Sequence, residues 1–261
     1  CTPNALHREY VESAADHGKA VLCEKPMAAD VADAEAMVEI CDDADVPLMV
    51  AYRVQTEPVA RRARELVRNG AIGEVVSVLG HMSDTMLEFA SEDSWRLDPD
   101  LAGGTTVNDI GIYPLNTIRF VLDANPQAVY ARTETDQAAY EGTDEHAAFQ
   151  LEFPDHVFAS CTVSHSARTA SSLRFVGTDG ELTLEGLFFP QSEKVLRLST
   201  DDADRAIRPD PVDQMREEFD YFANCLRRNR PPEPDGRHGL VDMRVIDALY
   251  ESASTGERVV L

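Results

Sequence analysis

Apolar residues recur along this chain with two different periods, and the switch from one to the other divides it. Near the start Leu6, Tyr10, Val11, Ala14 and Ala15 fall at helical spacing, and Gly18 ends the run. The stretch "AVLC" then predicts a short buried strand, "DVADAEAMVEICDDAD" a helix with Asp30 as its N-cap, and "VPLMVAYR" a second strand. Strand, helix and strand of these lengths imply parallel pairing with a site at the carboxyl ends of the strands. Thr2-Pro3-Asn4, Glu24-Lys25-Pro26 and Tyr52-Arg53 all fall at that one edge.

After the helical stretch "EPVARRARELVRNGAIG" the period drops to two. The segments "EVVSVLGHM", "QAVYARTE", "HAAFQLEF", "HVFASCTVS", "SLRFVGT" and "ELTLEG" alternate, and Pro154-Asp155 and Asp179-Gly180 mark turns among them. They predict a mostly antiparallel sheet, interrupted by a helix near "DIGIYPLNTIRFVLD". Two helices close the chain, "VDQMREEFDYFANCLRRN" and "HGLVDMRVIDALYESAS", with "RPPEPDG" as the loop between them. No internal repeat or low-complexity segment interrupts this order. A βαβ domain that binds a dinucleotide opens on a strand and a Gly-rich turn, and the sequence contains no GxGxxG. It begins where such a domain would be more than half built, so the expectation is a fragment or a protein that needs no dinucleotide.

Composition narrows the function. The formal net charge is −23, spread along the chain, which excludes nucleic acid as a partner because phosphate neutralisation needs lysine and arginine. At molar salt the Debye length falls to about 3 Å and such self-repulsion is screened, so the charge points to a high-salt habitat. Cys1, Cys23, Cys41, Cys161 and Cys225 are scattered and form no CxxC, which predicts free thiols in a reducing compartment. There is no signal-peptide pattern and no apolar run near the ~18 residues of a membrane span, so a soluble, cytoplasmic protein is expected.

Lysine is scarce: Lys19, Lys25 and Lys194 are the only three. A lysine kept at a strand end, where other cations are arginine, suggests a compact and tunable ammonium, although a surface lysine is the plain alternative. Pro26 admits a cis bond that would aim the side chain out of the strand plane. In "AGGTTVNDIGIYPLN", Gly103-Gly104 permit a tight turn or close approach to a ligand. Asp109 and Tyr113 are four apart and share a face if the segment is helical, with Pro114 favouring a helix start there. Helix capping is the alternative for Asp109, and simple packing for Tyr113. A tyrosine acts as acid or base near neutrality when cations favour its phenolate. An ammonium about 4 Å away supplies on the order of 4 kcal/mol at an effective dielectric of 20. Trp95-Arg96 could stack on and clamp a cofactor. The seven histidines show no HxxxH or HExxH, so no metal is expected, and neither GxSxG nor a P-loop occurs.

Taken in order, "TPNALH", "GKAVLCEKPMA", "LMVAYR", "IGEVVSV", "WRLDPDLAGG" and "DIGIYPLN" resemble the Gfo/Idh/MocA oxidoreductases over essentially the whole chain. The acidic composition and "DIGIYPLN" look most like the haloarchaeal, D-xylose-oxidising, NADP-dependent branch. The resemblance implies a fold of α/β plus α+β class. Residues 1–54 would be the C-terminal half of a Rossmann domain, and 55–261 a substrate and oligomerisation domain with an open, mostly antiparallel sheet. It implies catalysis by Lys25, Asp109 and Tyr113, with Thr2, Pro3, Asn4, His7, Glu24, Lys25, Pro26, Arg53, Trp95 and Arg96 at the cofactor. The implied reaction is oxidation of an aldose, D-xylose foremost, at C1 to the lactone with NADP or alternatively NAD. Glucose, an inositol or a trans-dihydrodiol as substrate, or a non-catalytic sugar or dinucleotide sensor, are the alternatives. Partners would be a small sugar and further copies of the chain, as a homodimer or homotetramer through the sheet face. The sequence departs from the family pattern in lacking its Gly-rich turn and the residues that select the adenosine ribose.

Overall fold

A computed structural model describes residues 2–261, so the thiol expected at Cys1 lies outside the described residues. Helix α1 (His7–Asp16), strand β1 (Val21–Glu24), helix α2 (Val31–Asp43) and strand β2 (Leu48–Ala51) follow the order read from the pattern. The two strands pair in parallel with Val21 opposite Leu48 and Glu24 opposite Ala51. Asp30 caps α2 as expected, its carboxylate accepting the Asp33 N–H at 2.8 Å. All four β2 residues are buried, because helices cover both faces of so short a parallel pair.

Helix α3 (Pro58–Arg68) starts on a proline at its first position, where the missing N–H costs nothing. Beyond it lies a nine-stranded sheet. Its strands are β3 (Val75–Thr85), β4 (Ala128–Glu134), β5 (His146–Glu152), β6 (Phe158–Ser164), β7 (Ser166–Gly177), β8 (Gly180–Glu185), β9 (Val195–Thr200), β10 (Ala203–Ile207) and β11 (Val259–Val260). The spatial order is β10-β9-β8-β7-β3-β6-β5-β4-β11. Every pairing is antiparallel except the central one, β3 with β6. The turn helix α4 (Pro99–Ala102), and the helices α5 (Ile112–Leu122), α6 (Gln214–Arg227) and α7 (Gly236–Thr255) complete the chain. Helices α3, α5 and α7 cover one sheet face, burying Phe149, Leu151, Ala159, Val163, Leu173 and Phe175. The other face is open and carries Leu79 (49 % exposed) and Phe158 (52 %).

Two features fix the region where the two sheets meet. A π-helical turn, Val107–Gly111, feeds directly into α5. Below it, Arg119 of α5 and Asp242 of α7 form an ion pair with side chains 3 % and 0 % exposed. Asn116 donates to Asp242 at 2.7 Å, Gln55 donates to Asn116 at 2.9 Å, and the Arg119 guanidinium also reaches Asn125 at 2.7 Å and the His238 carbonyl at 3.1 Å. A buried charge is tolerated only with such partners. The network ties the turn after β2 to α5 and α7, and so fixes what those elements carry.

Candidate active site

Lys25 leaves the end of β1 and crosses to the π-turn. Its ammonium donates to the main-chain carbonyl of Asp109 at 2.6 Å and to the carboxylate of the same residue at 2.8 Å. A π-type bond runs from the fifth residue onward, and five after Asp109 stands Pro114, which has no N–H to give. The carbonyl therefore keeps a lone pair for Lys25. The helix-capping alternative for Asp109 does not hold: the residue before α5 is Gly111, and no side chain caps that end. Burial alone would lower the Lys25 pKa; the Asp109 carboxylate, with Tyr113 and the hydrogen bond, outweighs it and raises the value above the usual lysine range. Burial opposes ionisation of Asp109 as well, yet Lys25, His165 and Arg96 hold its carboxyl down at about 2. Both members of the pair are charged across the neutral range.

Tyr113 occupies the second position of α5, with Pro114 in the first turn as its φ requires. The Lys25 ammonium lies over its ring, 4.6 Å from the centroid, and makes no hydrogen bond to the hydroxyl. That bond comes from Arg53, whose guanidinium donates to the Tyr113 hydroxyl at 2.8 Å and to the Phe188 carbonyl at 2.8 Å. Gln214 accepts from the other arm of Arg53 and donates to Glu57 at 2.8 Å, fixing the fork. Two cations thus attend one phenol, the lysine on its face and the arginine at its oxygen. The sequence pointed to the first, and the family resemblance placed the second at the cofactor.

A cavity of about 170 Å³ opens beside Lys25. Thr2, Asn4, His7, Glu24, Lys25, Pro26, Trp95, Arg96 and Asp109, nine of the residues singled out from the sequence, line it together with Ala102 and Gly104. Pro3, Arg53 and Tyr113 are not on its wall; Arg53 and Tyr113 lie by Lys25, outside it. Asn4 is fastened by donating to the Ala102 carbonyl at 2.8 Å, and the His7 ring meets the Met27 carbonyl at 3.2 Å. Burial lowers the His7 pKa below the ordinary imidazole value, so it faces the cavity as a neutral ring. Arg96 stacks on Trp95, 4.6 Å from the ring centroid, and its Nε lies 3.9 Å from Asp109. Gly103 and Gly104 serve close packing: with φ of +75° and +118°, a Cβ would meet the Ala29 carbonyl at 2.0 Å and the Tyr250 hydroxyl at 2.1 Å. The Lys25–Pro26 bond is cis.

The wall chemistry suits one flat heteroaromatic ring with a polar substituent. Trp95 offers a stacking face, Thr2 and Glu24 offer polar groups, and Lys25 offers a cation. The volume holds such a ring and not a whole dinucleotide. Among the described residues no group of three His, Cys, Asp or Glu side chains is placed to hold a metal ion, and no helix is long and apolar enough to cross a membrane.

Three residues near this centre gave no sequence signal. His165 and Asp84 sit behind Asp109, with the His165 ring 3.7 Å from its carboxylate. Glu218, from α6, is 1 % exposed, and its Oε1 has no hydrogen-bond partner among the described residues. Burial, reinforced by the charge of Glu24, pushes the Glu218 carboxyl up to about 8. Between the ordinary carboxylate value and about 8 the folded chain holds this proton and the unfolded chain does not, so stability falls as pH rises through that window. Thermal melts are expected to drop between about pH 5 and about pH 9, and Glu218→Gln to flatten the slope. Identical slopes in the two proteins would remove this assignment.

Residues 1–52 match the oxidoreductase family with the NAD-binding Rossmann fold, and residues 60–183 match the GFO/IDH/MocA C-terminal domain. The chain is 49 % identical over 260 residues to the D-xylose 1-dehydrogenase [NADP(+)] of Haloarcula marismortui, covering 99 % of this chain and 72 % of that protein. It is 36 % identical to D-xylose 1-dehydrogenase (NADP(+)) 2 of Haloferax volcanii, over 99 % of this chain and 78 % of that one. Among solved structures it is similar to the aldose-aldose oxidoreductase of Caulobacter crescentus complexed with glycerol. The TM-score there is 0.93 at 35 % identity, covering 100 % of this chain and 78 % of that chain.

Proposed function

The chain belongs to the Gfo/Idh/MocA oxidoreductases, and from that premise we propose that it oxidises an aldose, D-xylose foremost, at C1 to the lactone with NADP. The observation that carries this reading is the Lys25 ammonium, held by Asp109 on the cavity wall and over the Tyr113 ring. When bound, NADP supplies the hydride acceptor. Thr2, Asn4, His7, Glu24, Pro26, Trp95 and Arg96 would hold its nicotinamide end, with Pro3 setting the loop between Thr2 and Asn4. Tyr113 takes the C1 hydroxyl proton, and Arg53 and Lys25 favour the negative charge that collects on its oxygen. An ammonium has three hydrogens; two are committed to Asp109, and the third is left for the sugar oxygen. Asp109 keeps that ammonium charged and aimed.

Residues 1–54 act as the cofactor side and 55–261 as the substrate side. The exposed Val76, Leu79 and Phe158 on the open sheet support assembly as a homodimer or homotetramer through that face. The charge of −23 supports a cytoplasm at high salt.

The test is the purified chain with NADP and a panel of D-xylose, D-glucose, an inositol and a trans-dihydrodiol, followed by the near-ultraviolet absorbance of reduced nicotinamide. Sugar-dependent reduction, largest with D-xylose, is expected. Cofactor binding without reduction by any of them would mean a sensor and defeat the proposal. In the same assay Lys25→Met is expected to lower kcat by about 10²–10³-fold with an unchanged melt. Near-normal turnover would remove Lys25 from the mechanism.

A further inference from the structure

His165 stands between β6 and β7, 1 % exposed and outside the cavity wall. Its backbone is pinned on both sides. Its N–H donates to the Glu145 carbonyl at 3.1 Å, and its carbonyl accepts from the Met86 N–H at 3.0 Å and the Tyr140 hydroxyl at 3.3 Å. The ring has little freedom either, since Nδ1 lies 2.6 Å from a carboxylate oxygen of Asp84 on β3. A carboxylate only accepts, so Nδ1 carries the hydrogen of that bond. Nε2 then points at Asp109 Oδ2 across 3.7 Å and has no hydrogen-bond partner among the described residues.

Two arrangements satisfy the Asp84 bond. With a lone pair on Nε2, a buried nitrogen that has no hydrogen-bond partner among the described residues faces an acceptor, an expensive arrangement. With a hydrogen on Nε2, the row Asp84, His165, Asp109, Lys25 alternates minus, plus, minus, plus and sums to zero. Arg96, 3.9 Å from Asp109 at the cavity side, is the further charge facing the row. Tyr140 meets only the His165 main chain.

We propose that His165 carries a hydrogen on both ring nitrogens and is the positioning residue of Asp109. Anchored by Asp84, it attracts Oδ2 by its charge across the 3.7 Å gap and so keeps Oδ1 on Lys25. Oδ1 then faces Lys25 while Oδ2 faces His165 and, at 3.9 Å, Arg96, and the ammonium is held in one place relative to Tyr113. This rests on the catalytic reading of Lys25 and Asp109 given above.

Two measurements decide it. The nitrogen resonances of the His165 ring, read by NMR on the whole chain near neutral pH, are expected to show both nitrogens protonated, with Nε2 moving in Asp109→Asn. A bare Nε2 overturns the proposal whether or not the chain oxidises a sugar. In kinetics, His165→Gln places an amide near the Nε2 position, whereas His165→Asn reaches only Asp84. His165→Asn is expected to lower kcat by about 10–100-fold, with KM for NADP unchanged and His165→Gln recovering most of the loss. Wild-type kcat in both variants, or equal impairment of both, overturns the positioning role. An unmutated chain that turns over no sugar would sink the functional reading alone, and the NMR measurement would still decide this one.

Discussion

Replacing Tyr113 by phenylalanine lowers kcat by about 10²–10⁴-fold and leaves the fold and KM for NADP unchanged. The expectation follows from what the substitution spares. The ring remains, packed 5.8 Å from Phe188 and under the Lys25 ammonium. Arg53 loses one acceptor but keeps the Phe188 carbonyl and Gln214, so it does not swing away. Only the oxygen proposed to receive the proton disappears. Turnover within about 10-fold of the parent would show that another base serves, and Asp109, already near and ionised, would be next to test. Combined with Lys25→Met, the losses should fall short of their product, since both residues act on one developing charge.

The second large effect is on stability. Arg119→Leu strands the Asp242 carboxylate, fully buried in α7, with an Asn116 hydrogen bond and the His238 ring 4.0 Å away but no full cation, and is expected to cost about 3–5 kcal/mol of unfolding free energy. Replacing both partners with apolar residues should return most of it, because the unpaired charge is the expensive element. Chemical denaturation of the two variants reads this directly, and a double variant as unstable as the single one would refute the account. The effect reaches catalysis too: Arg119 and Tyr113 ride on the same helix, and Gln55, bonded to Asn116, follows Arg53 by two residues.

The elements that announced themselves were those with one buried and one wet face. In β5 and β6 burial alternates residue by residue, which is the pattern the sequence displays. Strand β10 sits at the sheet edge with no buried residue, so it has no stripe to read, and β9 beside it also escaped. The two closing helices are followed by β11, only two residues long, which pairs with β4. The parallel pairing of β3 with β6 is likewise absent from the pattern, since alternation says which way a side chain points and not which strand is beside it. The helical stripe in α1 was half right: Val11 and Ala15 are buried, whereas Tyr10 is 55 % exposed.

The centre divides in the same way. Lys25 stood out because lysine is rare here, and Asp109 and Tyr113 because of their spacing. That spacing brings them to one ammonium by a route an α-helix does not provide, with Asp109 in the π-turn and Tyr113 in the helix proper. Arg53, His165 and Asp84 meet partners 60, 56 and 81 positions from them in the chain. No local motif encodes contacts of that range.

Because the π-turn presents a backbone oxygen to the lysine, part of the grip on that amine has no gene-encoded side chain to lose. Trimming Asp109 to alanine removes one of two tethers, so the defect should be graded, with a looser amine and not an absent one. Removing the proline that keeps the backbone oxygen available would be the subtler injury: a competing amide could claim it, and the amine would drift although every catalytic side chain was still in place.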